Sequence, residues 1–224
     1  YYAVPKGASK EHPVPAMVLI HGGGGTAFSE WAELWAERGY AAIAVDLAGR
    51  GPERKRLEDG GPDQDGPSKF AAIKDGVKQA WPYHAVANVI RAVSLIRSFP
   101  EVDPHRVGAT GISWGGYLTC IVSGLDNRLQ VAVPVYGCGF LDQSGYWSER
   151  PLSNLPKEDS AAWIENFDPS RYLAGARMPM LFVTGTNDFA YALDVFQKSY
   201  RLAPGPHPLC GTGRMKHSHP AGRA

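Results

Sequence analysis

The sequence lacks three features that would assign its class at once: an excess of one charge, a paired set of cysteines and a long apolar segment. It has 23 Lys and Arg against 22 Asp and Glu, a net charge of +1, which favours neither nucleic acid nor a membrane as partner. Its three cysteines, Cys120, Cys138 and Cys210, have no metal-like spacing and allow at most one disulfide. No apolar run approaches the roughly 20 residues that span a bilayer. A small or neutral molecule is therefore the expected partner.

Length and composition predict one globular domain over residues 1–224. The apolar fraction of 44% and charged fraction of 20% are ordinary for such a domain, and chains usually divide only beyond roughly 250 residues. Because the chain opens at Tyr1 and has no basic-then-apolar leader, we expect a piece trimmed at both ends, from which a signal peptide could have been removed.

Short apolar runs alternate with segments of helical periodicity. The predicted strands are Ala16–Ile20, Ala41–Val45, Val107–Thr110, Val131–Val135, Met180–Val183 and Leu209–Met215. Helices are predicted from a cap at Ser29, after Pro82, after Ser113 through Val122, and over Tyr191–Arg201. Residues 47–80, rich in Gly, Pro and charge, predict a long surface excursion. Apolar strands alternating with helices predict an α/β fold, a mostly parallel central sheet flanked by helices on both faces.

The segment Gly111-Ile112-Ser113-Trp114-Gly115 matches the G-x-S-x-G nucleophile elbow. It follows a predicted strand and precedes a predicted helix, which is the context that this motif requires. Glycines flank the serine because it lies on a sharp turn where bulk would clash with the neighbouring strand and helix. The pattern predicts Ser113 as the nucleophile of a serine hydrolase, the alternative being an ordinary glycine turn.

A second glycine-rich segment, His21-Gly22-Gly23-Gly24-Gly25, follows the first apolar strand. In hydrolases with such an elbow, amides of this loop and of the residue after the nucleophile bind the oxyanion. We predict Gly23, Gly24 and Trp114 as these donors. A phosphate-binding loop is the alternative, but neither the P-loop Lys-Ser/Thr ending nor G-x-G-x-x-G is present.

The acid of a catalytic triad is expected between the elbow and the histidine. Asp188 follows the Met180–Val183 strand and is predicted to orient the imidazole, although an aspartate there could also cap the next helix. Asp194, within that helix, and Asp142, before the strand, are weaker candidates.

The base is expected last, and three histidines lie beyond the acid: His207, His217 and His219. We predict His217 because it is nearest the end of the last strand, with His219 as the alternative. The His-x-His pair could bind metal, but no nearby Cys, Asp or Glu completes a ligand set. We therefore expect neither a metal nor an organic cofactor.

Several other residues have structural explanations. His21 is expected to shape the glycine loop, and Asp46 to accept hydrogen bonds from loop amides. Residues 81–84 are expected either in the core or in a pocket wall. The candidates for lining a substrate pocket are Tyr136, Cys138 and Trp147.

The chain resembles the dienelactone hydrolase and acetyl xylan esterase-like branch of the α/β-hydrolases. The motifs that carry the resemblance run from about Val14 to His219: the glycine loop, Val-Asp-Pro-His-Arg-Val-Gly at 102–108, Gly-Ile-Ser-Trp-Gly-Gly-Tyr at 111–117, Asp-Pro-Ser-Arg-Tyr-Leu at 168–173, and Pro-Met-Leu-Phe-Val-Thr-Gly-Thr-Asn-Asp at 179–188. The resemblance implies Ser113 as nucleophile, Asp188 as acid and His217 as base.

The resemblance also implies a substrate class, the acyl or acetyl esters of carbohydrates or small molecules. Dienelactone hydrolases carry a cysteine nucleophile, so Ser113 favours esters over a dienelactone. The elbow also resembles that of prolyl-type oligopeptidases, whose usual propeller domain has no room in this chain. A serine peptidase and a non-catalytic binding module of the same fold are the two alternatives to an esterase.

Overall fold

Seven strands form one mixed sheet in the computed structural model, which describes residues 1–66 and 68–218. In chain order they are β1 (Tyr2–Ala3), β2 (Val14–Ile20), β3 (Ala41–Val45), β4 (Val102–Ile112), β5 (Val131–Val135), β6 (Phe182–Gly185) and β7 (Leu209–Thr212). Their order in the sheet is β1-β3-β2-β4-β5-β6-β7. Only the β1 and β3 pair among these neighbours is antiparallel. The predicted mostly parallel sheet is confirmed.

Helices connect the parallel strands. They are α1 (Ser29–Glu37), α2 (Ser68–Ala71), α3 (Trp81–Ile96), α4 (Trp114–Leu125), α5 (Gly145–Trp147), α6 (Lys157–Phe167) and α7 (Leu193–Tyr200). The Ser29 cap was predicted wrongly, because α1 begins at Ser29 while Phe28 is its N-cap residue and contributes no side-chain bond. Within the described ranges, no helix is both long enough and apolar enough to cross a membrane.

The sheet buries apolar side chains on both faces. Along β2, Ala16, Val18 and Ile20 belong to one buried cluster, which includes residues of α3, α4 and α7. Met17 and Leu19 belong to a second cluster, which includes Trp31 and Ala32 of α1. Alternate residues of a strand point to opposite faces, so an uninterrupted apolar run is what a strand covered on both sides requires.

The segment 47–80 is exposed over residues 52–59, as predicted, but other parts of it are buried. Phe70 and Ile73 are buried in the main cluster, and Gln64 is fully buried. The segment contains α2 and two short 3-10 turns, Ala72–Asp75 and Val77–Gln79. Phe70 and Lys69 lie against the Trp114 ring, and Asp65 accepts the Gly24 amide hydrogen, so the segment contacts the Ser113 turn and the glycine loop.

Candidate active site

Ser113 lies on a sharp turn between β4 and α4. Its backbone has φ 59° and ψ −119°, a conformation that residues other than glycine rarely adopt and that is characteristic of functional turns. A Cβ atom at Gly115 would lie 2.0 Å from the carbonyl oxygen of Ile20, and one at Gly111 would lie 2.4 Å from that of Gly115. The turn therefore requires glycine at both positions, as the motif predicts.

The structure brings His217 and Asp188 to Ser113. His217 Nε2 is 2.8 Å from Ser113 Oγ, and His217 Nδ1 is 2.8 Å from Asp188 Oδ2. The other oxygen of Asp188, Oδ1, accepts hydrogen bonds from the amides of Ala190 at 2.9 Å and Tyr191 at 2.8 Å. With both oxygens engaged, the carboxylate is fixed, and the imidazole can hold the proton on Nδ1 and accept one from Ser113.

Asp142, Asp194 and His207, the other candidates for acid and base, form no hydrogen bond with Ser113 or His217 in the described part of the chain. Asp142 and Asp194 are exposed. His207 lies before β7 and its Nδ1 is 2.6 Å from the carbonyl oxygen of Gly205. His219 lies outside the described residues.

Aromatic rings hold His217 in place after the edge strand β7. The Tyr136 ring centroid is 4.5 Å from that of His217, and Phe189 is 5.2 Å away. Tyr191 is stacked on the imidazole at 6.2 Å with an interplanar angle of 11°. The Tyr136 hydroxyl also donates to the carbonyl oxygen of Ser218, which ties the loop of the histidine to the end of β5.

The glycine loop lies beside the residue that follows the nucleophile. A Cβ atom at Gly23 would be 2.8 Å from Cδ1 of Trp114, so glycine is required for this close approach. The Gly24 amide donates to Asp65 Oδ1 at 2.8 Å and is therefore engaged. For the amides of Gly23 and Trp114, no acceptor is found within residues 1–66 and 68–218.

His21 and Asp46 support this loop, as expected from the sequence. His21 Nε2 accepts the amide hydrogen of Leu47 at 2.9 Å, and Nδ1 is 2.8 Å from the Gly22 carbonyl oxygen, so Nδ1 carries the proton. Burial lowers the pKa of His21 in spite of the opposing effects of Gly22 and Asp46. Asp46 accepts from the amides of Ala48 and Arg50 and from the Thr26 hydroxyl. The two side chains connect the ends of β2 and β3.

Aromatic side chains surround Trp114 and reach Tyr191. Trp147 has its ring centroid 4.8 Å from that of Trp114 and 5.7 Å from that of Tyr191. On the other side of the cluster, Lys69 Nζ lies 4.4 Å from the Trp114 ring centroid. Burial lowers the Lys69 pKa to about 8, although Asp65 and Asp63 act in the opposite direction.

Sequence reasoning did not identify Lys69 or Tyr191 as neighbours of the site. Lys69 lies in the segment interpreted as a surface excursion, where the spacing of Phe70 and Ile73 was the signal of a buried face. Tyr191 was interpreted as the start of a helix, whereas it lies in the loop before α7.

The sequence matches the family described as Acetyl xylan esterase (AXE1) over residues 1–144, more than half of the chain. This match confirms the resemblance that the motifs indicate.

Two curated relatives and one solved structure illustrate the similarity. The Bacillus subtilis protein named "Uncharacterized peptidase YuxL" is 28% identical over 197 residues, 80% of this chain and 26% of that protein. Acetyl esterase Axe7A of Xylanibacter ruminicola is 23% identical over 205 residues, 84% of this chain and 45% of that protein. The chain spans about a quarter to two thirds of the length of the curated relatives that it matches.

The solved structure is the acetyl xylan esterase from Paenibacillus sp. R4. It superposes with a TM-score of 0.78 at 21% identity, over 98% of this chain and 74% of that chain. A likeness at this identity concerns the fold, which is the α/β-hydrolase fold. By its family match, and with this sheet and this serine turn, the chain belongs to the acetyl xylan esterase family.

Proposed function

We propose that the chain is a serine carboxylic-ester hydrolase with Ser113 as nucleophile, His217 as general base and acid, and Asp188 as the acid that orients His217. The observation that carries the proposal is the continuous pair of 2.8 Å contacts from Asp188 through His217 to Ser113. The strained backbone of Ser113 supports it, since such strain recurs at nucleophiles.

In the first step, His217 Nε2 takes the Ser113 proton while Oγ bonds to the ester carbonyl carbon. The carbonyl oxygen becomes an oxyanion, which we assign to the amides of Gly23 and Trp114. Gly24 was also a predicted donor, but its amide already donates to Asp65, so it contributes only if that bond is released. Positioned amides of this kind lower the barrier because they need no reorganisation as charge develops.

In the second step, the carbon–oxygen bond to the alcohol breaks and His217 Nε2 gives its proton to the departing oxygen. Water then attacks the acyl-enzyme with His217 as base, releasing the carboxylic acid and restoring Ser113. Asp188 stabilises the imidazolium formed in both steps. No metal or organic cofactor takes part in this scheme.

For the substrate we propose short-chain esters, above all acetyl esters of carbohydrates. The family description and the name of the relative Axe7A support acetyl esters. The aromatic rings of Trp114, Trp147 and Tyr191 that crowd the site also favour a small acyl group.

A serine peptidase is the second candidate, and the name of the relative YuxL favours it. The same three side chains would serve peptide hydrolysis, so the choice depends on the substrate tested. A non-catalytic binding module is the third interpretation, and labelling of Ser113 by a fluorophosphonate probe would contradict it.

The test compares p-nitrophenyl acetate, butyrate and octanoate with aminoacyl p-nitroanilides, followed by acetic acid release from acetylated xylan. We expect hydrolysis of the acetate ester, and a loss in kcat of more than about 1,000-fold for Ser113→Ala because the three groups act as a unit. Circular dichroism of both proteins serves as the folding control. Hydrolysis of the anilides alone would establish the peptidase, and an equally active Ser113→Ala variant would refute the mechanism.

A further inference from the structure

The hydroxyl of Tyr191 is buried, and the Ser113 hydroxyl lies near it. The residue is fully buried, and no hydrogen bond is found for its hydroxyl within the part of the chain that the structure describes. A buried polar group in this state is unfavourable and requires an explanation, such as a catalytic role or a bound water or ligand. The hydroxyls of Tyr117 and Tyr172, by contrast, donate to the carbonyl oxygens of Phe167 and Asn166.

Tyr191 is held rigidly beside the reacting groups. Its amide donates to Asp188 Oδ1 at 2.8 Å, and its ring is stacked on His217 at an angle of 11°. Trp147 packs against the ring at 5.7 Å. Burial raises the Tyr191 pKa well above its ordinary value and Cys138 and Asp188 act in the same direction, while the nearby Ser113 hydroxyl opposes them. The phenol therefore keeps its proton and can donate it in a hydrogen bond.

The position of Tyr191 in the sheet order indicates which substrate oxygen it can reach. The glycine loop follows β2, Ser113 follows β4 and Tyr191 follows β6, and β2 and β6 lie on opposite sides of β4. An ester carbonyl oxygen bound by Gly23 and Trp114 lies on the β2 side. We place the alcohol oxygen on the other side, where His217 Nε2 would deliver its proton.

We infer that the Tyr191 hydroxyl donates a hydrogen bond to the alcohol oxygen of the bound ester as that oxygen leaves. This inference rests on the proposed function. As the carbon–oxygen bond breaks, its electron pair moves to the alcohol oxygen, and His217 supplies the proton that completes the alcohol. Tyr191 retains its own proton and stabilises the negative charge that develops before the transfer. Tyr191 would thus contact the substrate and determine how basic an alcohol the site can release.

The experiment measures kcat/KM of Tyr191→Phe on two acetates that differ in their alcohols, p-nitrophenyl acetate and ethyl acetate, by pH-stat titration. p-Nitrophenoxide is a stable anion and requires little stabilisation as it leaves. Ethoxide is an unstable anion and requires much more. We expect a loss of about 10- to 100-fold on ethyl acetate and a loss at least five times smaller on p-nitrophenyl acetate (roughly 2- to 20-fold). Because kcat/KM reports only steps up to alcohol release, slow deacylation does not obscure the comparison.

The thermal midpoint separates this role from a structural one. Because the Tyr191 hydroxyl makes no hydrogen bond within residues 1–66 and 68–218, its removal should leave Tm unchanged or raise it. The control Tyr172→Phe removes a hydroxyl that has a partner, and it should lower Tm or leave it unchanged with no effect on either ester.

Three results for Tyr191→Phe would overturn the inference: no loss on either ester, equal losses on both, or a lowered Tm that accompanies the loss. A wild-type protein that hydrolyses neither ester would instead contradict the proposed function, and the inference with it. If the wild type hydrolyses both esters, the proposed function stands, and the Tyr191→Phe results then test the role of Tyr191 alone.

Discussion

Lys69 is a charged residue in an apolar environment, packed against the face of the Trp114 indole. Its ammonium group lies 4.4 Å from the Trp114 ring centroid, 5.8 Å from that of Trp81 and 5.9 Å from that of Phe70. Aromatic faces attract the cation, while the loss of water around it favours the neutral amine. The lowered pKa of about 8 indicates that the loss of water dominates.

The Lys69→Met variant should therefore be more stable than the wild type at pH 7. The charged form is disfavoured in the folded state, and we expect an increase of about 1–2 kcal/mol in the free energy of unfolding after the lost cation–π attraction is subtracted. Between about pH 8, the folded pKa, and pH 10.5, the ordinary lysine value, the unfolded state binds more protons. The wild type gains stability across that range, so the difference between the proteins should disappear by pH 10.5.

Urea unfolding at several pH values measures this difference. The control is Lys74→Met, since Lys74 is exposed and its removal should change stability little at any pH. A Lys69→Met variant that is less stable than the wild type at pH 7 would show that the cation–π contacts outweigh the loss of water.

The turn from β4 into α4 has no space for an added side chain at Gly115. It runs directly past the end of β2, so the site for a side chain at Gly115 is filled by the backbone of Ile20 and His21, at 2.0 and 2.8 Å from their carbonyl oxygens. Backbone atoms cannot move aside as the end of a flexible side chain can.

The Gly115→Ala variant should accordingly lose more than about 3 kcal/mol of stability or fail to fold. Gly211→Ala in β7 is the matched control, because nothing lies within 4 Å of its added Cβ atom. Chemical denaturation and soluble yield measure both variants. If Gly115→Ala were as stable as Gly211→Ala, the result would contradict the claim that the backbone of β2 leaves no room for a Cβ atom at position 115.

The sequence predicted strands better than the connections between them. Ala41–Val45 and Val131–Val135 are observed with the predicted bounds because their runs are uniformly apolar and end at polar or glycine residues. The strand predicted at Met180–Val183 is observed at Phe182–Gly185, and α6 was not predicted. In α6 only Trp163, Ile164 and Phe167 are buried, which is too weak a periodicity to recognise from the sequence.

At the scale of the whole molecule, the site assembles residues that are far apart in the chain. Ser113 and His217 are separated by 104 positions and Asp188 and His217 by 29. Their positions after β4, β6 and β7 could be predicted because parallel strands present their carboxyl ends at one edge. The neighbours Lys69 and Tyr191 could not be predicted, since their contacts depend on how the segment 47–80 and the loop before α7 fold over that edge.

The histidine of the site follows the least protected strand of the sheet. All four residues of β7 are exposed and the strand lies at the edge, whereas Ser113 and Asp188 follow strands inside the sheet. Exposed edges with few buried contacts open locally at a lower free energy than the core. We expect hydrolysis to be lost at a lower urea concentration than the fluorescence of the buried Trp31, Trp81 and Trp163.

Coincident activity and fluorescence transitions would contradict this expectation and show that β7 opens only with the rest of the fold. Separate transitions would mean that the fold holds Ser113 and His217 in place with unequal stability. Between the two transitions Ser113 would remain in place on an intact turn without His217, its proposed proton acceptor. Inactivation would then be a reversible detachment of one strand, and any contact that covers the outer edge of β7 would increase the resistance of the enzyme to denaturation without touching a reacting group.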